Sequence, residues 1–138
     1  MRPELDRILW WDTLPTHLRQ PLGQPLQGPL TVDVAITGAG FTGLWTAYYL
    51  QGLLPGCRIA IIEANVAGFG ASGRNGGWAS SYFPQDDLAV TRRVGIDQAR
   101  LLRQYMNDAV DEVKRQATAQ NWEIDWAKGG TVIAARSP

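Results

Sequence analysis

Cysteine, histidine and net charge are all scarce in this sequence. Cys57 is the single cysteine, which excludes an internal disulfide and a cysteine-rich metal site. Thirteen Lys and Arg residues balance thirteen Asp and Glu residues, so no net field attracts nucleic acid or an anionic membrane. No apolar run approaches the roughly 18–20 residues that span a bilayer, and Met1 to Trp11 lacks the apolar core of a secretory signal. We therefore expect a cytoplasmic protein without nucleic-acid or membrane partners.

Glycine and tryptophan, in contrast, are abundant, at 15 and six residues in a chain of 138. This length allows one modest domain. Prolines interrupt residues 1–30 repeatedly, which excludes a long regular helix there. We interpret this segment as an N-terminal proline-rich arm whose Trp10 and Trp11 pack on the domain surface. An exposed anchor for a partner is the alternative interpretation.

Hydrophobic patterning predicts a strand, a helix and a second strand after the arm. Residues 31–37 alternate apolar and polar side chains, as a strand does. Residues 41–51 predict a helix with a stripe of small residues that suits close packing on a sheet. Residues 58–63 form a nearly continuous apolar run, typical of a parallel strand that is buried on both faces. This order predicts a right-handed βαβ unit.

The turn between the first strand and the helix has the sequence GAGFTG, residues 38–43. Gly38 permits a tight turn, Gly40 lets a pyrophosphate approach the main chain, and Gly43 lets the helix pack closely on the strand. The free amides at the start of the helix then hold the phosphate charge. Because the motif lies between a strand and a helix, it predicts a dinucleotide site.

Glu63 ends the second strand, about 20 residues after Gly43. A carboxylate at this place can accept hydrogen bonds from the hydroxyls of an adenosine ribose, and it would repel the 2′-phosphate of NADP. A packing turn with a capping glutamate is the alternative interpretation of the glycine motif and Glu63 together.

A second glycine-rich stretch, residues 64–81, follows Glu63 directly. A flexible linker is one interpretation, but Phe69, Arg74, Asn75 and Trp78 interrupt the glycines. We therefore expect an ordered loop whose backbone approaches a ligand. The loop leaves the same end of the sheet as the first motif, so it can supply amides and a hydroxyl to the pyrophosphate and continue toward a flavin ring. Because an NAD site does not need this second glycine-rich loop beside the pyrophosphate, the loop favours FAD over NAD.

The remaining sequence predicts a long helix and a hairpin. Residues 86–119 have helical periodicity, with Asp97 as a candidate N-cap. The residues expected in the core of that helix are Leu101, Leu102, Tyr105, Met106, Ala109, Val110 and Val113. Residues 122–126 and 131–135 resemble two short strands around Gly129 and Gly130, as in a tight hairpin.

Two segments of the chain resemble one known family. The runs DVAITGAGFTGLWTAYYL and IAIIEANVAGFGASGRNGGW are similar to the N-terminal FAD-binding region of the D-amino-acid-oxidase-like (DAO) family of FAD-dependent oxidoreductases. The similarity is greatest to the branch of γ-glutamylputrescine oxidase-like and glycine or sarcosine oxidase-like enzymes. It extends from Trp10 and Trp11 to the segment from Ile124 to Ala134. The run GASGRNGG is its most specific part.

The resemblance implies a role for each residue of the two glycine-rich segments. The FAD pyrophosphate would be held by Gly38, Gly40 and Gly43 with the amides of Phe41 and Thr42. Glu63 would bind the adenosine ribose. The phosphates and the ribityl chain would be covered by Ala71, Ser72 and Gly73. The segment that leads to the flavin ring would consist of Arg74, Asn75, Gly76 and Gly77. For Arg74, a purely loop-ordering role is the alternative. The implied chemistry is hydride abstraction from a C–N bond of a small-molecule amine or amino acid.

These observations together predict an α/β fold. It consists of a Rossmann-like βαβ FAD-binding unit, a long helix and a short hairpin. We expect three regions: the N-terminal arm (1–30), the FAD-binding unit with its flavin loop (31–85), and the helix with the start of a substrate-domain sheet (86–138). Enzymes of the family are much longer, so we expect an incomplete portion of a larger two-domain fold that is inactive alone. An NAD-dependent dehydrogenase fragment and a non-catalytic dinucleotide-binding remnant are the alternatives.

Overall fold

The computed structural model describes residues 8–19, 23–132 and 134. The chain divides into two compact units, Met1–Gly77 and Trp78–Pro138, here called unit 1 and unit 2. No helix in the described ranges is both long and apolar enough to cross a membrane.

Unit 1 begins with a short arm. Helix α1 (Leu9–Thr13) is followed by a 3-10 turn (Thr16–Leu18), and the prolines predicted to prevent a longer helix lie around these two short pieces. The indole of Trp10 donates a hydrogen bond from Nε1 to the carbonyl oxygen of Asn75, at 2.8 Å. Trp10 therefore packs on the glycine-rich loop of unit 1, as predicted for this one of the two tryptophans. Residues 1–7 and 20–22 of the predicted arm lie outside the described residues.

A parallel βαβ arrangement follows the arm. Strand β1 (Val34–Thr37), helix α2 (Phe41–Leu53) and strand β2 (Ile59–Ile62) come in the predicted order. The strands pair in parallel, with Val34 opposite Ile59 and Thr37 opposite Ile62. Both are shorter than the predicted ranges 31–37 and 58–63. Among the described residues the sheet consists of these two strands, and each ends where its partner ends.

An ion pair marks the beginning of the sheet. The guanidinium of Arg58 contacts the carboxylate of Asp33, with Nη2 and Oδ1 2.9 Å apart, and the Arg58 amide donates to Oδ2 of the same carboxylate. This contact lowers the pKa of Asp33 below its ordinary value, mainly through the hydrogen bond from the Arg58 side chain.

Helix α2 packs on the sheet through the predicted stripe of small residues. Gly43 and Ala47 are buried and Leu50 is half-buried. On the other side of the helix, the rings of Trp45, Tyr48 and Tyr49 form a cluster, with centroids 5.3–5.6 Å apart.

Unit 2 contains two helices where the sequence pattern predicts one. Helix α3 (Asp87–Val94) and helix α4 (Ile96–Ala119) are separated by Gly95, whose φ of 85° and ψ of 160° fall in a region open essentially to glycine alone. The predicted cap is also corrected. Asp97 lies in the first turn of α4 and makes no cap, whereas Asp86 caps α3 by accepting a 2.6 Å hydrogen bond from the amide of Leu88.

The predicted apolar stripe of α4 is only partly buried. Leu102, Met106, Val110 and Val113 are half-buried, but Tyr105 is 61% exposed and Leu101 and Ala109 are also exposed. The stripe is therefore a core face for four of its seven residues.

The predicted hairpin is wrong for the residues that the structure describes. Residues 122–126 and 131–132 form no strand, and Ile133 and Ala135 lie outside the described residues. An isolated two-stranded hairpin is marginal in water, and neither β1 nor β2 pairs with this segment. The alternation of apolar residues alone therefore does not produce strands here.

Candidate functional site

The first part of the site is the turn between β1 and α2. Gly38 has a φ of +93°, and its amide donates to the carbonyl of Ile62 at 2.8 Å, which extends the parallel pairing by one bond. A Cβ placed on Gly43 would lie 2.1 Å from the carbonyl oxygen of Gly38 and 3.2 Å from Cγ2 of Ile36. Glycine at position 43 is therefore required by this close approach, as the sequence motif predicts.

Glu63 follows β2 and binds this turn. Its Oε2 accepts a hydrogen bond from the amide of Ala39 at 2.8 Å, and its Oε1 accepts one from the amide of Asn65 at 2.9 Å. These main-chain N–H groups, that of Ala39 first, lower the pKa of the Glu63 carboxyl below its ordinary value, because they stabilise the charged form.

Anchoring the turn is the capping role that the sequence analysis gives as the alternative interpretation of Glu63. A signal for it was present, because the amides of a glycine-rich turn need acceptors and the end of the neighbouring parallel strand lies beside that turn. Each carboxylate oxygen has a second lone pair, so the anchoring bonds leave acceptor capacity for a ribose hydroxyl.

The second glycine-rich stretch packs against the turn between β1 and α2 through hydrogen bonds. The hydroxyl oxygen of Ser72 accepts a hydrogen bond from the amide of Phe41, the first residue of α2, at 2.9 Å. The amide of Gly68 donates to the carbonyl of Ala39, also at 2.9 Å. A Cβ on Gly40 would lie 3.0 Å from the Ser72 hydroxyl oxygen. The flexible-linker interpretation is therefore wrong for this part of the stretch.

The Ser72 contact also changes one predicted role. The Phe41 amide was expected to face the pyrophosphate directly, but it donates to Ser72. Because the hydroxyl accepts this bond, its own proton is available to an acceptor outside the helix. The Ser72 hydroxyl can therefore donate a hydrogen bond to a phosphate oxygen while it accepts one from the first amide of α2.

Side chains within the loop fix the rest of its course. Arg74 donates from Nε to the carbonyl of Phe69 at 2.9 Å, and its guanidinium lies 5.0 Å from the centroid of the Phe69 ring. This is the loop-ordering role that was the alternative for Arg74. Asn75 donates from Nδ2 to the carbonyl of Ser72 at 2.5 Å and accepts from the amide of Gly77 at 2.8 Å.

The structure thus joins most of the predicted residues by direct contacts. The set that is linked by hydrogen bonds or close approach comprises Gly38, Gly40, Phe41, Gly43, Glu63, Ala71, Ser72, Gly73, Arg74, Asn75 and Gly77. Thr42 and Gly76 are exposed and next to them in the chain. All of these residues belong to unit 1.

The donors at this place fit a diphosphate. Within the described part of the chain, the amides of Gly40 and Thr42 donate to no acceptor. They lie at the positive end of the 13-residue helix α2, where main-chain N–H groups and the helix dipole favour an anion. The Ser72 hydroxyl adds a third donor, and Glu63 adds an acceptor beside them. The described residues contain no cluster of side chains that could hold a metal ion.

Comparison with known families gives a match over most of the chain. Residues 33–138 match the model of the DAO family, described as FAD-dependent oxidoreductase. The chain belongs to this family. DAO family membership indicates FAD as the cofactor, and it does not favour the nicotinamide-dependent alternative.

Two relatives support the DAO assignment. The chain is 32% identical over 109 residues to the gamma-glutamylputrescine oxidoreductase of Escherichia coli and 34% identical over 110 residues to the oxidoreductase OrdL of Haemophilus influenzae. These alignments cover 79% and 77% of the chain but only 25% of each relative, so the chain spans about a quarter of their length. No solved structure gives a significant match.

Proposed function

We propose that the protein oxidises a C–N bond of a small-molecule amine or amino acid, and that residues 38–77 hold its FAD. The name of the Escherichia coli relative, a gamma-glutamylputrescine oxidoreductase, supports the amine substrate class. When bound, the flavin supplies the redox chemistry by accepting a hydride from the carbon of the C–N bond. The residues of this chain bind and orient the cofactor.

The observation that carries the proposal is the joining of the two glycine-rich segments by the Phe41–Ser72 hydrogen bond. This bond brings the amides of Gly40 and Thr42 and the Ser72 hydroxyl to one place. A pyrophosphate there would receive three neutral donors and the helix dipole. The residues Gly38 and Gly43 shape the turn but offer no side chain that would obstruct the phosphates.

Glu63 binds the adenosine ribose in this proposal. Its carboxylate is held by the amides of Ala39 and Asn65, which fixes its orientation and keeps it ionised near neutral pH. A preorganised acceptor loses little side-chain entropy when a hydroxyl binds to it. The same charge repels a 2′-phosphate.

The loop from Ala71 to Gly77 covers the ribityl chain and leads to the flavin ring. The conformation of this loop is fixed by Arg74 and Asn75, whose side chains donate hydrogen bonds to the neighbouring main-chain carbonyls of Phe69 and Ser72. In this proposal both residues act mainly by shaping the backbone, and the main-chain groups of Gly76 and Gly77 approach the cofactor.

The test compares FAD with FMN, which lacks the adenosine. We expect Glu63→Gln to weaken FAD binding by about tenfold more than FMN binding, because the charge-assisted hydrogen bond to the ribose is lost only for FAD, whereas the loss of one of the two bonds that anchor the turn affects both flavins. Flavin fluorescence titrations of the purified protein measure both dissociation constants. Glu123→Gln, at an exposed position, is the matched control.

Each outcome of this comparison decides the placement of Glu63. An equal loss of FAD and FMN affinity would mean that Glu63 acts only through the fold of the turn. Unchanged FAD affinity would remove Glu63 from the site altogether.

A further inference from the structure

The indole of Trp10 lies against the part of the glycine-rich loop that leads to the flavin ring. Its Nε1 donates to the carbonyl of Asn75 at 2.8 Å. Gly77 has a φ of +79°, and a Cβ there would lie 3.0 Å and 3.2 Å from two carbons of the indole ring. Trp10 therefore binds this loop both by a hydrogen bond and by ring contact with a glycine.

Asn75 connects this contact to the start of helix α2. Its main-chain carbonyl accepts the Trp10 bond, and its side chain spans the Ser72 carbonyl and the Gly77 amide. Ser72 in turn accepts from the Phe41 amide. Hydrogen bonds to different atoms of Asn75 and Ser72 thus connect the arm, through these two residues, to the donors at the helix start.

A second residue of the arm packs on the same loop. Ile8 is one of the few buried apolar residues, at 4% exposure. Its Cγ2 lies 3.5 Å from where a Cβ of Gly73 would be, and the same Cβ would come within 2.3 Å of the Gly68 carbonyl oxygen. The loop is therefore enclosed between its own backbone and the arm at Gly73.

We infer that Trp10 is a positioning residue for FAD, which acts through Asn75 to hold Ser72 on the N-terminus of α2. The inference rests on the proposed placement of FAD at residues 38–77. Ordering a seven-residue loop at the moment of binding costs conformational entropy, and a loop that the arm already holds in place avoids part of this cost. The arm is on this account a part of the cofactor site, although it does not touch the phosphates.

The decisive variant is Trp10→Phe, which keeps an aromatic ring in the arm but removes the N–H donor and the outer indole carbons that approach Gly77. We expect it to weaken FAD binding about 3- to 10-fold, the usual effect of losing one hydrogen bond, and to raise the rate of FAD release. Leu9→Ala, in the same helix at an exposed position, is the control and should bind FAD as the wild type does. Urea denaturation of each apoprotein separates weakened binding from general loss of stability.

A double-mutant cycle tests the route through Ser72. If Trp10 acts by holding Ser72, the variant Trp10→Phe combined with Ser72→Ala should bind FAD no more weakly than Ser72→Ala alone, because the residue that Trp10 positions is already lost. Additive losses would overturn the route. Unchanged FAD affinity in Trp10→Phe would overturn the inference as a whole.

A measurement on the wild type keeps the inference testable if Trp10→Phe does not fold. The indole N–H of Trp10 gives its own nitrogen-resolved NMR signal, and we expect its exchange with solvent to slow at least about tenfold when FAD binds, because the coupling between arm and cofactor is reciprocal. Unchanged exchange would contradict the inference. A wild type that binds no FAD, or a Glu63→Gln variant with normal FAD affinity, would instead count against the proposed function.

Discussion

Glu63 bears a charge whose partners are two main-chain amides, those of Ala39 and Asn65. Since its pKa is lowered in the folded state, the unfolded state binds more protons as the pH falls toward the ordinary value of about 4.3. The stabilising contribution of Glu63 is therefore complete above that value and is lost as the pH falls through the lower folded pKa. Asp33 follows the same direction, because Arg58 lowers its pKa.

We expect the free energy of unfolding to decrease on acidification from neutral pH to about pH 3, and Glu63→Gln to make this decrease smaller. The variant retains the contribution of Asp33 and so keeps part of the slope. Urea denaturation at a series of pH values measures both slopes, with Glu123→Gln as the control. The same acid slope in Glu63→Gln and in the wild type would show that the two amide bonds do not contribute.

Two glycines of helix α2 are predicted to respond to alanine in opposite directions. Gly43→Ala places a Cβ 2.1 Å from the Gly38 carbonyl oxygen, so the helix must move off the sheet, and we expect a loss of about 2 kcal/mol or more in the free energy of unfolding. Gly52→Ala meets nothing within 4 Å and should gain about 0.5–1 kcal/mol from helix propensity. Urea denaturation measures both values. A stable Gly43→Ala would contradict the close packing of turn and helix.

At the scale of elements, Gly95 decides that unit 2 has two helices. Its amide donates to the Thr91 carbonyl, and its own carbonyl accepts from the Ala99 amide, so it ends α3 and begins α4. Alanine is strained at its φ of 85° and ψ of 160° by about 1–3 kcal/mol. We expect Gly95→Ala to lower the urea midpoint of unit 2 accordingly, and Gly129→Ala, which has open space around it, to change it little. Equal midpoints for the two variants would mean that the break does not depend on glycine.

The elements that could be predicted from the sequence are those set by local patterns. The strands and α2 follow from apolar periodicity and from glycines at fixed offsets, and their order was correct. The break at Gly95 could not be predicted from periodicity, because the helical periodicity extends over residues 86–119 on both sides of it. The segment 122–132 alternates like a strand, but strand formation also needs a pairing partner, which the pattern does not reveal.

The candidate site, too, could be predicted from the sequence only in its local motifs. The glycine motif, Glu63 and the second loop were recognisable from spacing, whereas the bonds that join them were not. The Phe41–Ser72 bond spans 31 residues and the Trp10–Asn75 bond spans 65. Such contacts depend on how elements pack, so the hydrogen-bond partners of Trp10 and Ser72 became visible only in the structure.

At the scale of the whole molecule, the buried core is small. The buried apolar residues of the described ranges are Ile8, Ala39, Ala47, Val66, Val90 and Ala117. Three of these six are alanines, which contribute little apolar area. Unit 1 must therefore depend strongly on the hydrogen bonds around its turn and loop, and a ligand that binds the folded state there adds to its stability by mass action.

This dependence predicts where FAD changes local stability. At FAD concentrations about 100 times the dissociation constant, the binding free energy adds about 2.7 kcal/mol to the folded state of the segment that binds it. We expect the amides of residues 38–77 to exchange with deuterium more slowly by up to about 100-fold, and those of α4 to change far less, because all the predicted site residues belong to unit 1. Hydrogen-exchange mass spectrometry with and without FAD measures both segments in one sample, and riboflavin, which has no phosphate, serves as the control ligand. Equal protection of α4 and of residues 38–77 would contradict a binding site built from the turn, Glu63 and the glycine-rich loop. Protection confined to residues 38–77 would support this site without the use of any substitution.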